Sequence, residues 1–136
     1  MARVRPVFHL SFPIDDLSRA RAFYGDVLGC PVRRASDFGV DFDFFGHQLV
    51  AQFAPAEVGG VPSAAKQPAR HFGAVLERAE WDALAARLKA VGTAFIVEPH
   101  VRAPGEPSEQ ATMFFLDPLG NALEFKAFPE GSAWLP

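Results

Sequence analysis

Apolar and polar residues alternate from residue 8 to 14 (FHLSFPI), where His9 and Ser11 separate aromatic and branched neighbours, and this period of two predicts a strand. Pro13 confines the far end of that strand to a sheet edge or a bulge. The period then changes. Leu17, Ala20, Phe23, Tyr24, Val27 and Leu28 recur on one helical face, Asp15, Asp16 and Ser18 offer capping oxygens before it, and Gly29 supplies the stop. These signals predict a helix of about three turns. Short extended runs follow at 31–35, 40–44 and 48–53, the last two joined by Phe45-Gly46-His47 as a hairpin turn. Residues 54–69 hold Pro55, Pro62, Pro68 and the pair Gly59-Gly60 without apolar periodicity, which reads as a linker.

The same order then returns. Residues 71–76 (HFGAVL) form a second predicted strand, Trp81, Leu84, Leu88 and Val91 a second helical face, and Gly92 a second stop. Residues 93–97 are extended, 98–110 read as a polar loop, and 112–116 and 122–128 are strands around Asp117-Pro118-Leu119-Gly120-Asn121. His9 and His71, Gly29 and Gly92, and Gly46 and Gly120 hold matching places in the two runs, so the chain is a duplication. Neither copy of such a unit can bury its sheet face alone, and two four-stranded sheets would pack or curl into a common cup.

Composition narrows the function. With 136 residues, 49% hydrophobic and 21% charged, the chain has the size and balance of one globular domain with a sizeable core. Phenylalanine is abundant, 14 residues against two tryptophans and one tyrosine, which suits a greasy cavity and equally suits ordinary core packing. Thirteen basic against sixteen acidic residues give a formal charge of −3, which supplies no field for gathering nucleic-acid phosphates. The lone Cys30 forms no internal disulfide and fits a reducing compartment, where it reads as a small packed residue. No apolar run approaches the roughly 18 residues of a membrane span and the start lacks a signal-peptide core, so the expectation is a soluble cytoplasmic protein.

Three residues carry the candidate chemistry. His9 and His71 stand in the first strand of each copy and Glu124 in the last strand of the second. Two imidazoles and a carboxylate on one face of a divalent ion form the facial triad suited to Fe(II) or Mn(II), with positions open for water, substrate or dioxygen. A strand histidine taken singly is more often a core or rim residue than a ligand. Repetition alone does not bring the three side chains together.

The run 9–29 (HLSFPIDDLSRARAFYGDVLG), the restart His71-Phe72-Gly73 and the segment 114–124 (FFLDPLGNALE) resemble the vicinal oxygen chelate superfamily, which contains the glyoxalases, the bleomycin and fosfomycin resistance proteins and the extradiol dioxygenases. The resemblance spans about residues 7 to 128, and its strongest element is the strand-turn-strand motif D-P-x-G-N-x-x-E. It implies an α+β fold of two βαβββ modules, 7–54 and 70–128, joined by the linker 55–69 and followed by a tail at 129–136, all in one domain. The modules would shape an eight-stranded cup or half-barrel with helices outside, around one divalent metal. His9, His71 and Glu124 match three of the family's ligand positions. Fe(II) is the first expectation, with Mn(II), Ni(II) or Zn(II) as alternatives.

Two departures from the family pattern follow. Glyoxalase-like members carry a carboxylate on the last strand of copy one, where this chain offers Val50 or Gln52 depending on the register. Ring-cleaving extradiol enzymes carry a histidine and a tyrosine before the Asp-Pro turn, whereas Phe114 stands at the tyrosine position and the histidine interval falls on Gly105, Glu106 or Pro107. Either the substrate is not a catechol or the acid-base work moves to other residues, for which His47 and Gln52 are the expected catalytic pair, although His47 lies on the opposite strand face from Gln52 by parity. Arg102, Glu106, Gln110 and Phe114 are the expected substrate contacts, Arg102 because its planar fork pairs with a carboxylate. The first reading is an extradiol-type dioxygenase acting on a small vicinal diol or aromatic substrate. The alternatives are a glyoxalase-like isomerase, lyase or epimerase, and a non-catalytic ligand-binding protein of the bleomycin-resistance kind. A homodimer is implied by the resemblance, with a small-molecule substrate and no nucleic-acid or membrane partner.

Overall fold

A computed structural model of the chain describes residues 7–59 and 70–133. The chain divides into two compact units, Met1–Gly59 and Gly60–Pro136. The first contains β1 (His9–Ile14), α1 (Leu17–Ala20), a π-helical segment (Arg21–Val27), β2 (Val32–Ser36), β3 (Gly39–Phe44), β4 (His47–Phe53) and a 3₁₀ turn (Pro55–Glu57). The second contains β5 (Phe72–Val75), α2 (Arg78–Ala90), β6 (Phe95–Arg102), β7 (Gln110–Leu116) and β8 (Ala122–Ala127). Each unit is βαβββ and the fold class is α+β. Backbone hydrogen bonds join the strands into two four-stranded sheets, ordered β1-β4-β3-β2 and β5-β8-β7-β6. In each sheet the first and last strands pair in parallel and the remaining pairs are antiparallel. Pro13 sits on β1, an edge strand, where a missing amide donor is tolerated.

Alternation decides which sheet face is buried. In the first unit Phe12, Ile14, Val40, Phe42, Phe44, Leu49 and Ala51 are buried, and Tyr24 from the helical segment packs on Phe12 and Phe42 with ring centroids 5.3 and 5.6 Å apart. The other face carries the intervening residues His9, Ser11, Asp41, Asp43, Gln48, Val50 and Gln52. In the second unit Trp81, Leu84 and Leu88 of α2 are buried, as are Met113, Phe115, Leu123 and Phe125 of β7 and β8. The Trp81 indole N–H donates to the Phe125 carbonyl at 2.9 Å and ties the helix to β8.

Four local expectations are corrected. The first helix has one α-helical turn and then widens: the Leu28 N–H donates to the Phe23 carbonyl, five residues back, at 2.9 Å. Ala20, Tyr24 and Leu28 recur every fourth residue, a spacing that either helix type satisfies. The hairpin turn is two residues, Phe45 and Gly46, both at positive φ, and His47 already pairs with Phe44. Val91 is not part of the buried helical face; it caps α2 and is 61% exposed. The expected polar loop at 98–110 is half strand, because β6 runs to Arg102, which pairs with Gln110. Pro99 lies inside β6 and is tolerated because β6 is an edge strand. Of the expected linker, residues 60–69 lie outside the described residues.

Candidate functional site

The second unit brings two of the expected ligands together. The β7–β8 turn sets the first of them: the buried Asp117 carboxylate accepts hydrogen bonds from the backbone N–H groups of Leu119 and Asn121 and from the Asn121 side-chain amide, each at 2.8 Å. Gly120 closes the turn at φ +87°, a conformation that favours glycine. β8 starts from this clamp, and Glu124 falls opposite Phe114 of β7 and Gly73 of β5. His71, just before β5, holds its Nε2 3.4 Å from the Glu124 Oε1. The buried Thr112 hydroxyl donates to the Glu124 Oε2 at 2.6 Å, so the carboxylate presents one oxygen to His71 and is oriented by the other. The Lys126 Nζ stands 3.7 Å from Oε1, and the Phe114 ring meets the His71 imidazole edge-on at 4.8 Å. Gly73 has no freedom to become another residue, because a Cβ there would run into the Glu124 carbonyl.

In the first unit His9 shares its sheet face with the polar row. Its Nδ1 lies 2.7 Å from the Gln48 Oε1 on β4, Gln48 Nε2 donates to the Asp41 Oδ2 on β3 at 3.3 Å, and Arg34 on β2 pairs with that oxygen at 3.0 Å. A bulge between Val32 and Arg34 turns consecutive arginines toward one face, so Arg33 also pairs with Asp43. The Gly46 amide and Arg33 hold the Asp43 carboxyl below its ordinary pKa of 3.8. Gln52 accepts a hydrogen bond from the Ser11 hydroxyl at 3.3 Å. The register also shows which β4 residue corresponds to Glu124. Ser11 pairs with Val50 as Gly73 pairs with Glu124, so valine occupies the place matching Glu124 when His9 is matched to His71. His47 lies on the other face of β4, where its Nδ1 accepts the Phe8 N–H at 3.0 Å.

The remaining expected residues divide between face and rim. Gln110 and Phe114 alternate with buried core positions of β7 and share the face of Thr112 and Glu124. Gln110 is buried, and among the described residues its Oε1 has no hydrogen-bond partner. Arg102 is exposed at the end of β6, and Glu106 is exposed in the β6–β7 connection, its N–H donating to the Ala103 carbonyl. Cys30 is buried, and burial above all, aided by the negative charge of Asp43, pushes its thiol up to about 12, which keeps it protonated and inert. The sequence alone assigns no role to Thr112, Gln48, Asp41 or Lys126, and Gly73 enters only as part of the restart motif. Parity was the available signal: Asp41 and Asp43 alternate with Val40, Phe42 and Phe44, which marks a polar face on β3.

Among the described residues no group of three or more His, Cys, Asp or Glu side chains is close enough to hold a metal ion. The pair in the second unit nevertheless has the donor chemistry of such a site. An imidazole nitrogen and a carboxylate oxygen 3.4 Å apart can be shared by one cation with bonds of about 2.0–2.2 Å, and a hydroxyl behind the carboxylate is the outer support such ligands use. The site thus sits in a βαβββ unit, with a histidine just before β5 and a carboxylate on the neighbouring β8. The chain belongs to the Glyoxalase/Bleomycin resistance protein/Dioxygenase superfamily, whose family model matches residues 7–125. It is 33% identical to a glyoxalase/bleomycin resistance protein/dioxygenase from Alicyclobacillus acidocaldarius, over 96% of each chain and with a TM-score of 0.78. The fold is also that of the fosfomycin resistance protein FosX from Listeria monocytogenes (15% identity, 93% of this chain and 95% of that one, TM-score 0.70). Lactoylglutathione lyase from Agrobacterium tumefaciens shares it too (21% identity, 98% of each chain, TM-score 0.67). No curated protein matches the sequence.

Proposed function

We propose that this protein is a divalent-metal-dependent enzyme of the vicinal oxygen chelate type, with His9, His71 and Glu124 as the metal ligands and Fe(II) as the metal. The observation that carries the reading is the His71–Glu124 pair, with 3.4 Å between donor atoms and the second carboxylate oxygen held by Thr112. When bound, the metal supplies Lewis acidity and open positions for two adjacent substrate oxygens and for dioxygen. Thr112 keeps Glu124 aimed, and the Lys126 ammonium offers a second positive charge to an oxyanion of the substrate. Gln110 and Phe114 share the same face, Gln110 with a buried oxygen that has no partner among the described residues, offered to a substrate hydroxyl, and Phe114 with an apolar ring for its carbon skeleton. Arg102 and Glu106 stand at the rim. With Val50 in place of a fourth acid, the ligand set is the three-residue one, and the reaction is an extradiol-type oxygenation of a small vicinal diol or aromatic substrate.

One observation favours a second reading. Phe114 has no hydroxyl to bind or protonate a catecholate. Isomerase, epimerase or lyase chemistry on a chelated enediolate needs no such group, and Gln52 or a loop residue would then stand near the transferred proton.

Metal content of protein prepared without air or chelators, beside Glu124→Ala, tests the centre. Near-stoichiometric iron or manganese that the variant loses, with oxygen uptake on a diol, supports the dioxygenase. Zinc or nickel with anaerobic turnover moves the assignment to the isomerase class. Failure to take up any metal, with retained binding of small ligands, overturns both in favour of a binding protein. The assembly expected with this function is a homodimer, and a monomer in sedimentation at micromolar concentration overturns that part.

A further inference from the structure

Imidazole has two nitrogens, and a neutral ring offers a lone pair from only one of them. Which nitrogen that is depends on the hydrogen bond the other one makes. At His9 the decision runs across all four strands of the first sheet. The Asp41 carboxylate, paired with the Arg34 guanidinium, can only accept, so the Gln48 amide must turn its Nε2 toward Asp41, 3.3 Å away. The carbonyl end of Gln48 therefore faces His9, with Oε1 2.7 Å from Nδ1. An amide oxygen accepts and does not donate. The proton of a neutral His9 must therefore be on Nδ1, and the lone pair on Nε2.

We infer that Gln48, oriented by Asp41, is a positioning residue that locks His9 in the Nδ1–H tautomer and reserves Nε2 for the metal. The inference rests on the reading of His9 as a ligand, and it adds which nitrogen binds and what sets the choice. The residues involved are spread over β1, β4, β3 and β2, and the sheet register brings them into one row: His9 is the Cα partner of Gln48, and Asp41 that of Arg34. Asp41 is the anchor because its side chain is only 11% exposed, whereas that of Arg34 is 82% exposed. Loss of Arg34 should therefore matter less than loss of Asp41.

The test reads the tautomer directly. Full-length metal-free protein with ¹⁵N-labelled histidine is studied by long-range ¹H–¹⁵N correlation above the imidazole titration range. The expected result is His9 with its proton on Nδ1. Gln48→Leu should move the population toward the Nε2–H form that exposed imidazole rings favour, and Gln48→Glu, which still presents an acceptor, should restore Nδ1–H. Manganese or zinc titration of the same samples should show affinity falling about 10- to 100-fold in Gln48→Leu and recovering in Gln48→Glu. Thermal melts confirm that each variant is folded. A native His9 already protonated on Nε2, or a tautomer unmoved in folded Gln48→Leu, overturns the inference even where the native protein binds metal. Absence of metal uptake beside a native Nδ1–H His9 that responds to Gln48→Leu overturns the proposed function instead, and leaves Gln48 as a tautomer lock.

Discussion

Single residues here are held by contacts that their type alone does not announce. Gly73 is the clearest case. It pairs with Glu124, and any Cβ would meet the Glu124 carbonyl, so the strand can approach only as glycine. Gly73→Ala should cost about 1–3 kcal/mol by overpacking and displace the carboxylate, which a denaturant midpoint and metal titration would both register. Asp43 is a second case, with a sign that depends on pH. Its carboxyl is lowered below 3.8 by the Gly46 amide first and Arg33 second, so the folded state binds that proton less readily than the unfolded chain. The stabilisation is fully present above the unfolded pKa and is lost as pH falls through the folded value. Asp43→Asn should therefore narrow the gap in urea midpoint between neutral pH and the acid side of the carboxylate range. An acid limb of unchanged depth would exclude Asp43 as a contributor.

At the scale of elements, the D-P-L-G-N turn acts as a rigid mount for β8. Three hydrogen bonds converge on Asp117, which is 4% exposed, and β8 leaves the clamp with Glu124 already committed to one face. Asp117→Ala should cost about 1–3 kcal/mol by stranding buried donors, and Asp117→Asn, which keeps one acceptor oxygen, should cost less. Equal losses by chemical denaturation would mean that the acceptor is not what matters. Elements were legible where one face is buried and periodicity is strong, as in β1, β3, β4 and α2. Legibility failed where burial is split. The start of β6 is legible as an extended run, but its second half, 98–102, reads as loop because, on an edge strand, it carries Glu98, His100 and Arg102 on a face with no core to fill. The π-helical segment escaped because Tyr24 and the flanking Ala20 and Leu28, all buried, stand four residues apart, a spacing that does not separate the two helix types.

For the whole molecule, the proposed metal couples function to stability. A ligand that binds only the folded state stabilises it by about 2.7 kcal/mol at roughly 100 times its dissociation constant. Added Fe(II) or Mn(II) should therefore raise the melting temperature, a chelator should reverse the rise, and Glu124→Ala should abolish it. An equal rise in the variant would place the binding elsewhere. The duplication itself was readable without coordinates, because His9, Gly29 and Gly46 have counterparts in His71, Gly92 and Gly120 and the hydrophobic periods recur in order. Period and turn chemistry are local properties, carried by each residue and its near neighbours, and they determined the α+β class, the two βαβββ units and the motif that ends in Glu124. Local signals hold no information on what lies across a strand pair. The approach of His71 to Glu124, the Thr112 hydroxyl behind that carboxylate, the pairing of Ser11 with Val50 and the row from Arg34 to His9 all depend on register. Register is set by the packing of whole faces, and only the tertiary structure decided it.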